Sequence, residues 1–194
     1  MLRCLFATLV ISLMVLGCSD KDKQPPSSTD QTKTPPSGGP APAVPPPGPS
    51  YAWVSGEDRK FPADAISGGH EAPPESEELY VCRSQFGNGV HPGKFRAGFG
   101  GCNIGWGGTE HTVPVYDLLT GHATWVPAAS GQVPPRAIQG GVEAAPESQR
   151  LYVCRANYQN GIHAGKLRPE FGGCNLGWGG KEVTVPTYEV LTAG

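Results

Sequence analysis

Charge is scarce in this chain, and what there is does not cluster. Charged residues make up 16% of the 194, and 15 Lys+Arg against 17 Asp+Glu leave a net charge of −2. Without a basic run the chain lacks the electrostatic footprint of a nucleic-acid binder. Long helical periodicity is missing from residues 51–194, which argues against a helical bundle. No G-x-S-x-G, H-E-x-x-H or glycine-rich phosphate loop occurs, so the common signatures of hydrolases and nucleotide enzymes are absent. Neither C-x-x-C nor H-x-x-x-H spacing is present, which counts against zinc. No enzyme activity and no cofactor is expected.

Glycine is abundant instead, with 28 residues, and the apolar runs are short and split by Gly, Pro and Asn. That pattern predicts an all-β domain with many turns. Its dominant feature is duplication. Residues 51–122 align on 123–194 without a gap, and 39 of the 72 positions are identical. The expected architecture is two tandem 72-residue antiparallel β repeats, as one domain or two small ones, preceded by a disordered proline-rich linker.

The front of the chain reads as an address. Arg3 precedes an apolar run, Leu5 to Leu16, too short to span a bilayer as a mature helix. It ends in Val15-Leu16-Gly17-Cys18, which resembles the lipobox of bacterial lipoproteins. That resemblance implies a signal peptide over 1–17, lipidation of Cys18 and, through Ser19, sorting to the outer membrane. An ordinary cleaved signal or an uncleaved anchor is the alternative, and either one also exports the protein. Residues 18–50 then form a tether. Ten of the 21 prolines lie in 19–50 with almost nothing apolar, a composition that does not bury enough surface to fold. Fully extended at about 3.1 Å per residue, it reaches roughly 100 Å.

Export makes disulfides the default for Cys82, Cys102, Cys154 and Cys174. Each copy holds one pair 20 residues apart, so Cys82–Cys102 and Cys154–Cys174 are expected, with pairing between copies the alternative.

Within one copy, Ala65 to Gly69 reads as a short strand ending in a glycine turn. Leu79 to Ser84 alternates as a strand with Leu79, Val81 and Arg83 on one face. Gly87-Asn88-Gly89 signals a hairpin, Val90 to Arg96 is the return strand, and Cys102–Trp106 and Thr112–Leu119 are the last two.

Few charges are identical in both copies: Glu71/Glu143, Glu75/Glu147, Arg83/Arg155, Lys94/Lys166, Arg96/Arg168 and Glu110/Glu182, with His91/His163 beside them. For Arg83 and Glu110 internal salt bridges are the favoured account. Glu71 and Lys94 lie beside glycines at turns or strand edges, where side chains converge on ligands. A carboxylate that accepts and an ammonium that donates suit vicinal sugar hydroxyls, and internal bridging suits the same pair equally.

These motifs carry a family resemblance. Trp53-Val54, Ala65-Ile66-x-Gly68-Gly69-x-Glu71, Leu79 to Arg83, His91-x-Gly93-Lys94, Gly100 to Glu110 and Tyr116-x-x-Leu119 recur in the second copy, and together they resemble the DM-nine repeat family. The resemblance implies an all-β fold with two copies packed about a pseudo-twofold axis, and mannose-binding lectin activity. It further implies that Glu71, Lys94, Glu143 and Lys166 hold the sugar. Two departures bear on specificity: Glu stands where the characterised lectins have Asp, and Pro92 is matched by Ala164. The segment 72–78 also looks longer than in those lectins. The expected partners are therefore glycans of mannose type, the membrane through the lipid, and a second copy in a homodimer. The leading expectation is a lipid-anchored, non-enzymatic envelope lectin, and the alternative is a structural or protein-binding envelope module.

Overall fold

The computed structural model describes residues 50–56 and 61–194. The signal, Cys18 and all of the linker except Ser50 lie outside the described residues.

Short apolar runs broken by glycine give short strands, and fourteen form among the described residues. In the first unit they are β1 (Tyr51–Ser55), β2 (Ser67–His70), β3 (Glu78–Phe86), β4 (Gly89–Phe95), β5 (Cys102–Trp106), β6 (Thr109–Val113) and β7 (Asp117–Gly121). The second unit repeats them as β8 (Ala123–Ala129), β9 (Gln139–Val142), β10 (Arg150–Tyr158), β11 (Gly161–Leu167), β12 (Cys174–Trp178), β13 (Lys181–Val185) and β14 (Thr187–Ala193). The described residues are all-β apart from single 3₁₀ turns such as Ala97–Phe99 and Pro169–Phe171.

The run expected over Thr112–Leu119 is two strands, β6 and β7, because Pro114 interrupts the ladder. The hairpin is also shifted by one residue. Phe86 pairs with Gly89, so Gly87 and Asn88 are the two central residues, both at positive φ as a tight hairpin turn requires.

All strand pairs are antiparallel, and the two units interlock. The order β1-β7-β3-β2-β11-β12-β13-β6-β5-β4-β9-β10-β14-β8 is cross-linked by the hairpin pairs β3–β4 and β10–β11. Strands β3, β2, β11, β12, β13, β6, β5 and β4 therefore close a ring drawn from both units, a barrel with extra strands at its flanks. Contacts between the units are reciprocal. Ile162 pairs with His70, and Val90 pairs with Val142. Thr109 pairs with Lys181, its own counterpart 72 residues on, which places a local two-fold relation at that bridge.

The A-I-x-G-G segments make this interlocking feasible. Gly68 and Gly69 are part of β2 rather than a turn after it. A Cβ at Gly69 would lie 2.0 Å from the Ile162 carbonyl oxygen, and one at Gly141 would lie 1.8 Å from that of Val90. No side chain fits where the other unit's backbone approaches so closely. Pro92 and Ala164 belong to the same interface: a Cβ at Gly140 would meet the Pro92 ring at 2.5 Å, and one at Gly68 would meet the Ala164 methyl at 2.9 Å.

Three apolar clusters follow. Ile66, Val81 and Leu119 join Ile138, Val153, Ala164 and Leu191 in a central core shared by both units. Each unit also keeps its own core, around Phe95, Ile104 and Leu118 in the first and Leu167, Leu176 and Val190 in the second. A buried side chain of this size contributes about 1.5–3 kcal/mol. Cys82–Cys102 and Cys154–Cys174 are disulfides inside these separate cores, with Cα separations of 5.9 and 5.8 Å. Pairing is thus within each copy.

Candidate functional site

Lys94 and Lys166 sit on β4 and β11, opposite Val81 and Val153, on strand faces turned toward the other unit. Both side chains are only 3% exposed. A buried ammonium needs partners, and each lysine has them. Lys94 Nζ lies 3.7 Å from Glu110 Oε1 and 3.2 Å from Nδ1 of His163, which comes from the second unit. Lys166 Nζ lies 3.3 Å from Glu182 Oε1 and 4.0 Å from Glu143 Oε1. Burial pulls the Lys94 pKa below the usual lysine range, while the charges of Glu110 and Glu71 push it back up.

The four predicted residues are therefore brought together in two clusters, though not identically. Glu143 reaches Lys166 directly. Glu71 acts on Lys94 through its charge, while its Oε1 lies 3.7 Å from Arg96 Nε. Arg96 also binds Glu77, within the segment 72–78 expected beside the site. At 18% and 15% exposure, Glu71 and Glu143 face solvent more than the lysines beneath them.

Two further residues belong to each cluster. Phe99 and Phe171, half-buried and at equivalent positions, place their ring centres 5.7 and 5.6 Å from the lysine ammonium groups. A cation over a ring face is an attractive arrangement. Their identity in both copies was the available signal, but an apolar residue held constant looks like core. Glu110 and Glu182 form the second pair. Glu110 Oε2 accepts from the Gly180 N–H at 3.0 Å, and Glu182 Oε2 from the Gly108 N–H at 2.9 Å. Each carboxylate thus holds the glycine turn of the other unit. Asn103 and Asn175 donate to the same carboxylates, at 3.3 and 3.5 Å.

His91 and His163 are fully buried, and burial pushes the pKa of each down to about 4, helped by the nearby Lys166 and Lys94 respectively. Both rings are therefore neutral at pH 7. The Nε2–H of His91 donates to the Phe86 carbonyl at 3.1 Å. Nδ1 of His163 faces the Lys94 ammonium and so accepts from it.

Arg83 and Arg155, two more of the identical charges, are structural. Arg83 pairs with Asp117 at 2.9 Å and stacks on Trp53, and Arg155 pairs with Glu189 at 2.7 Å and stacks on Trp125. Glu75 and Glu147 are exposed, and nothing in the structure explains their identity.

The comparisons with known proteins bear on fold and family. Residues 73–185, more than half of the chain, match the DM9 repeat. Among solved structures, the crystal structure of the nematode sperm cell motility protein MFP2B is similar, with a TM-score of 0.54 at 16% identity. The match covers 81% of this chain and 50% of that one, so this chain spans about half the length of the protein it resembles. At that identity the likeness is one of fold. No curated protein matches in sequence. Neither match brings in an enzyme family.

Proposed function

This chain belongs to the DM9 repeat family, and from that premise we propose that it is a non-enzymatic carbohydrate-recognition protein, presented from a cell envelope by a lipid on Cys18. The proposed sugar sites are Glu71 with Lys94 and Glu143 with Lys166. The observation that carries the proposal is the repeated cluster of a solvent-facing carboxylate, a buried ammonium beneath it and a half-exposed phenylalanine. A carboxylate accepts from vicinal hydroxyls, an ammonium donates to them, and an aromatic face takes the apolar side of a pyranose. Glycans of mannose type are the proposed ligands. Two weak sites on one rigid frame gain avidity toward a branched glycan.

One observation favours a second reading, a structural or protein-binding module without sugar binding. Both lysines are already satisfied by protein carboxylates and are 3% exposed. Glycan-array binding by the full-length protein separates the two readings. The lectin proposal expects mannose-type binding that Glu71→Gln/Glu143→Gln lowers at least tenfold with the melting temperature retained. A wild-type protein that binds no glycan, with Lys94→Ala/Lys166→Ala losing thermal stability, establishes the structural reading instead.

A further inference from the structure

Charge reverses between the units where β10 begins and β11 ends. In the first unit Arg96, just past β4, is held by two carboxylates, Glu71 at 3.7 Å from its Nε and Glu77 at its Nη1. Phe61 packs nearby on Tyr80 and Phe95, with ring centres 4.8 and 5.3 Å apart. In the second unit each of these groups changes. Val133 stands for Phe61, Gln149 for Glu77 and Arg150 for Glu78, while Glu143 approaches Lys166 at 4.0 Å. Arg168, the counterpart of Arg96, keeps the Gln149 amide and one carboxylate, Glu170, whose Oε2 lies 3.9 Å from Nε and whose side chain is 58% exposed.

With Val in place of Phe, a pocket of about 300 Å³ opens, lined by Val133, Gln149, Arg150, Tyr152, Arg168 and Glu170. Arg150 makes no salt bridge and no side-chain hydrogen bond among the described residues. Two arginines against one glutamate leave the lining one positive charge. The corresponding residues of the first unit, Arg96, Glu77 and Glu78, leave one negative charge. Because that unit folds with the acidic set, the fold does not demand the basic one.

The lining also selects by hydrogen bonding, since its donors outnumber its acceptors. Gln149 spends its amide oxygen on Arg168, so its NH₂ group stays available. The Tyr152 hydroxyl and the two guanidiniums add further donors, and Glu170 is the one carboxylate. A sugar hydroxyl or a peptide group donates as well as accepts, whereas an oxyanion only accepts and matches a guanidinium fork. The volume is small for a ligand pocket and suits a single acidic group. Arg168 further stacks on Phe171, its guanidinium carbon 4.5 Å from the ring centre, and the Lys166 ammonium lies 5.6 Å from the same ring. The pocket therefore borders the cluster of Glu143 and Lys166.

We propose that the second unit carries an oxyanion site at this pocket, formed by Arg150 and Arg168, which the first unit lacks. Its ligand is a phosphate, sulfate or carboxylate group, free in solution or carried on a glycan that also reaches Glu143 and Lys166. The test is an NMR titration of the full-length protein with inorganic phosphate at fixed ionic strength, read at the arginine Nε–H resonances. Arg150 and Arg168 are expected to shift and saturate, while Arg96 stays in place. Arg150→Glu and Val133→Phe each install the first unit's residue. Each is expected to weaken phosphate binding about tenfold with the melting temperature unchanged, the worth of one charge-assisted hydrogen bond. Glu170→Gln removes the one carboxylate of the lining and is expected to tighten binding. Mannose and mannose 6-phosphate distinguish the source. A glycan-borne group is established if mannose 6-phosphate binds more tightly than both mannose and phosphate and loses that advantage in Arg150→Glu, and a free oxyanion if it binds like phosphate. Because phosphate alone reads the pocket, a protein that ignores mannose counts against sugar recognition and not against this site. No saturable shift of Arg150 and Arg168 at millimolar phosphate, an equal shift of Arg96, or unchanged affinity in Arg150→Glu would overturn the proposal.

Discussion

Acidification probes the buried histidines directly. His91 and His163 are each pushed from an ordinary value of 6.5 to about 4 by burial and a neighbouring lysine. The folded pKa is the lower one, so between pH 6.5 and 4 the unfolded chain binds more protons. Stability is therefore fully present above pH 6.5, declines as pH falls through that window, and has lost this contribution below about pH 4. At pH 5 each ring costs about 2 kcal/mol relative to neutral pH, and the pair costs about 4 kcal/mol. Because both rings are 0% exposed, solvent screening does not reduce that figure. Against a typical total of about 5–15 kcal/mol the loss is large. Urea unfolding followed by tryptophan fluorescence at pH 7.5 and pH 5.0 measures it. His91→Gln/His163→Gln is expected to be less stable at pH 7.5, because it loses packing, but nearly flat across the same window. A wild-type protein equally stable at both pH values, or a double variant as acid-sensitive as wild type, would refute the reasoning.

Gly141→Ala is expected to cost about 3 kcal/mol or prevent folding, since its Cβ would lie 1.8 Å from the Val90 carbonyl. Thermal unfolding by circular dichroism reads this out, and Gly172→Ala, which has open space around it but a φ of +68°, should cost only about 1 kcal/mol. Cys154→Ala/Cys174→Ala opens a loop spanning 20 residues and should lower unfolding free energy by about 3 kcal/mol in a denaturant titration.

Much of the fold was legible because strand chemistry is local. The alternation over Leu79–Ser84 predicted the centre of β3, and the turn residues located its hairpin with an error of one position. The disulfide spacing carried the pairing, since each pair closes inside one unit's own core. The errors had a common origin. Gly68-Gly69 looked like a turn because a sequence does not show which backbone approaches a glycine, and here it is the other unit's β11. The sequence likewise does not show that Pro92 and Ala164, where the two copies differ, both pack on glycines across the interface. The internal salt bridge expected for Glu110 is present, but the carboxylate also holds a turn in the other copy.

Composition and duplication by themselves determined an all-β chain of two like units, each held by one disulfide, with a short set of residues kept in both. Those properties follow from turn chemistry, side-chain period and redox compartment, which act over a few residues or on the whole composition. Only the tertiary structure decided that the units interlock, that each lysine is enclosed by carboxylates with a histidine of the other unit beside Lys94, and that a pocket lies open beside Arg168. These are contacts between residues distant in sequence, as with the 69 positions between Lys94 and His163, and burial and hydrogen-bond satisfaction at such contacts exist only once the chain has folded.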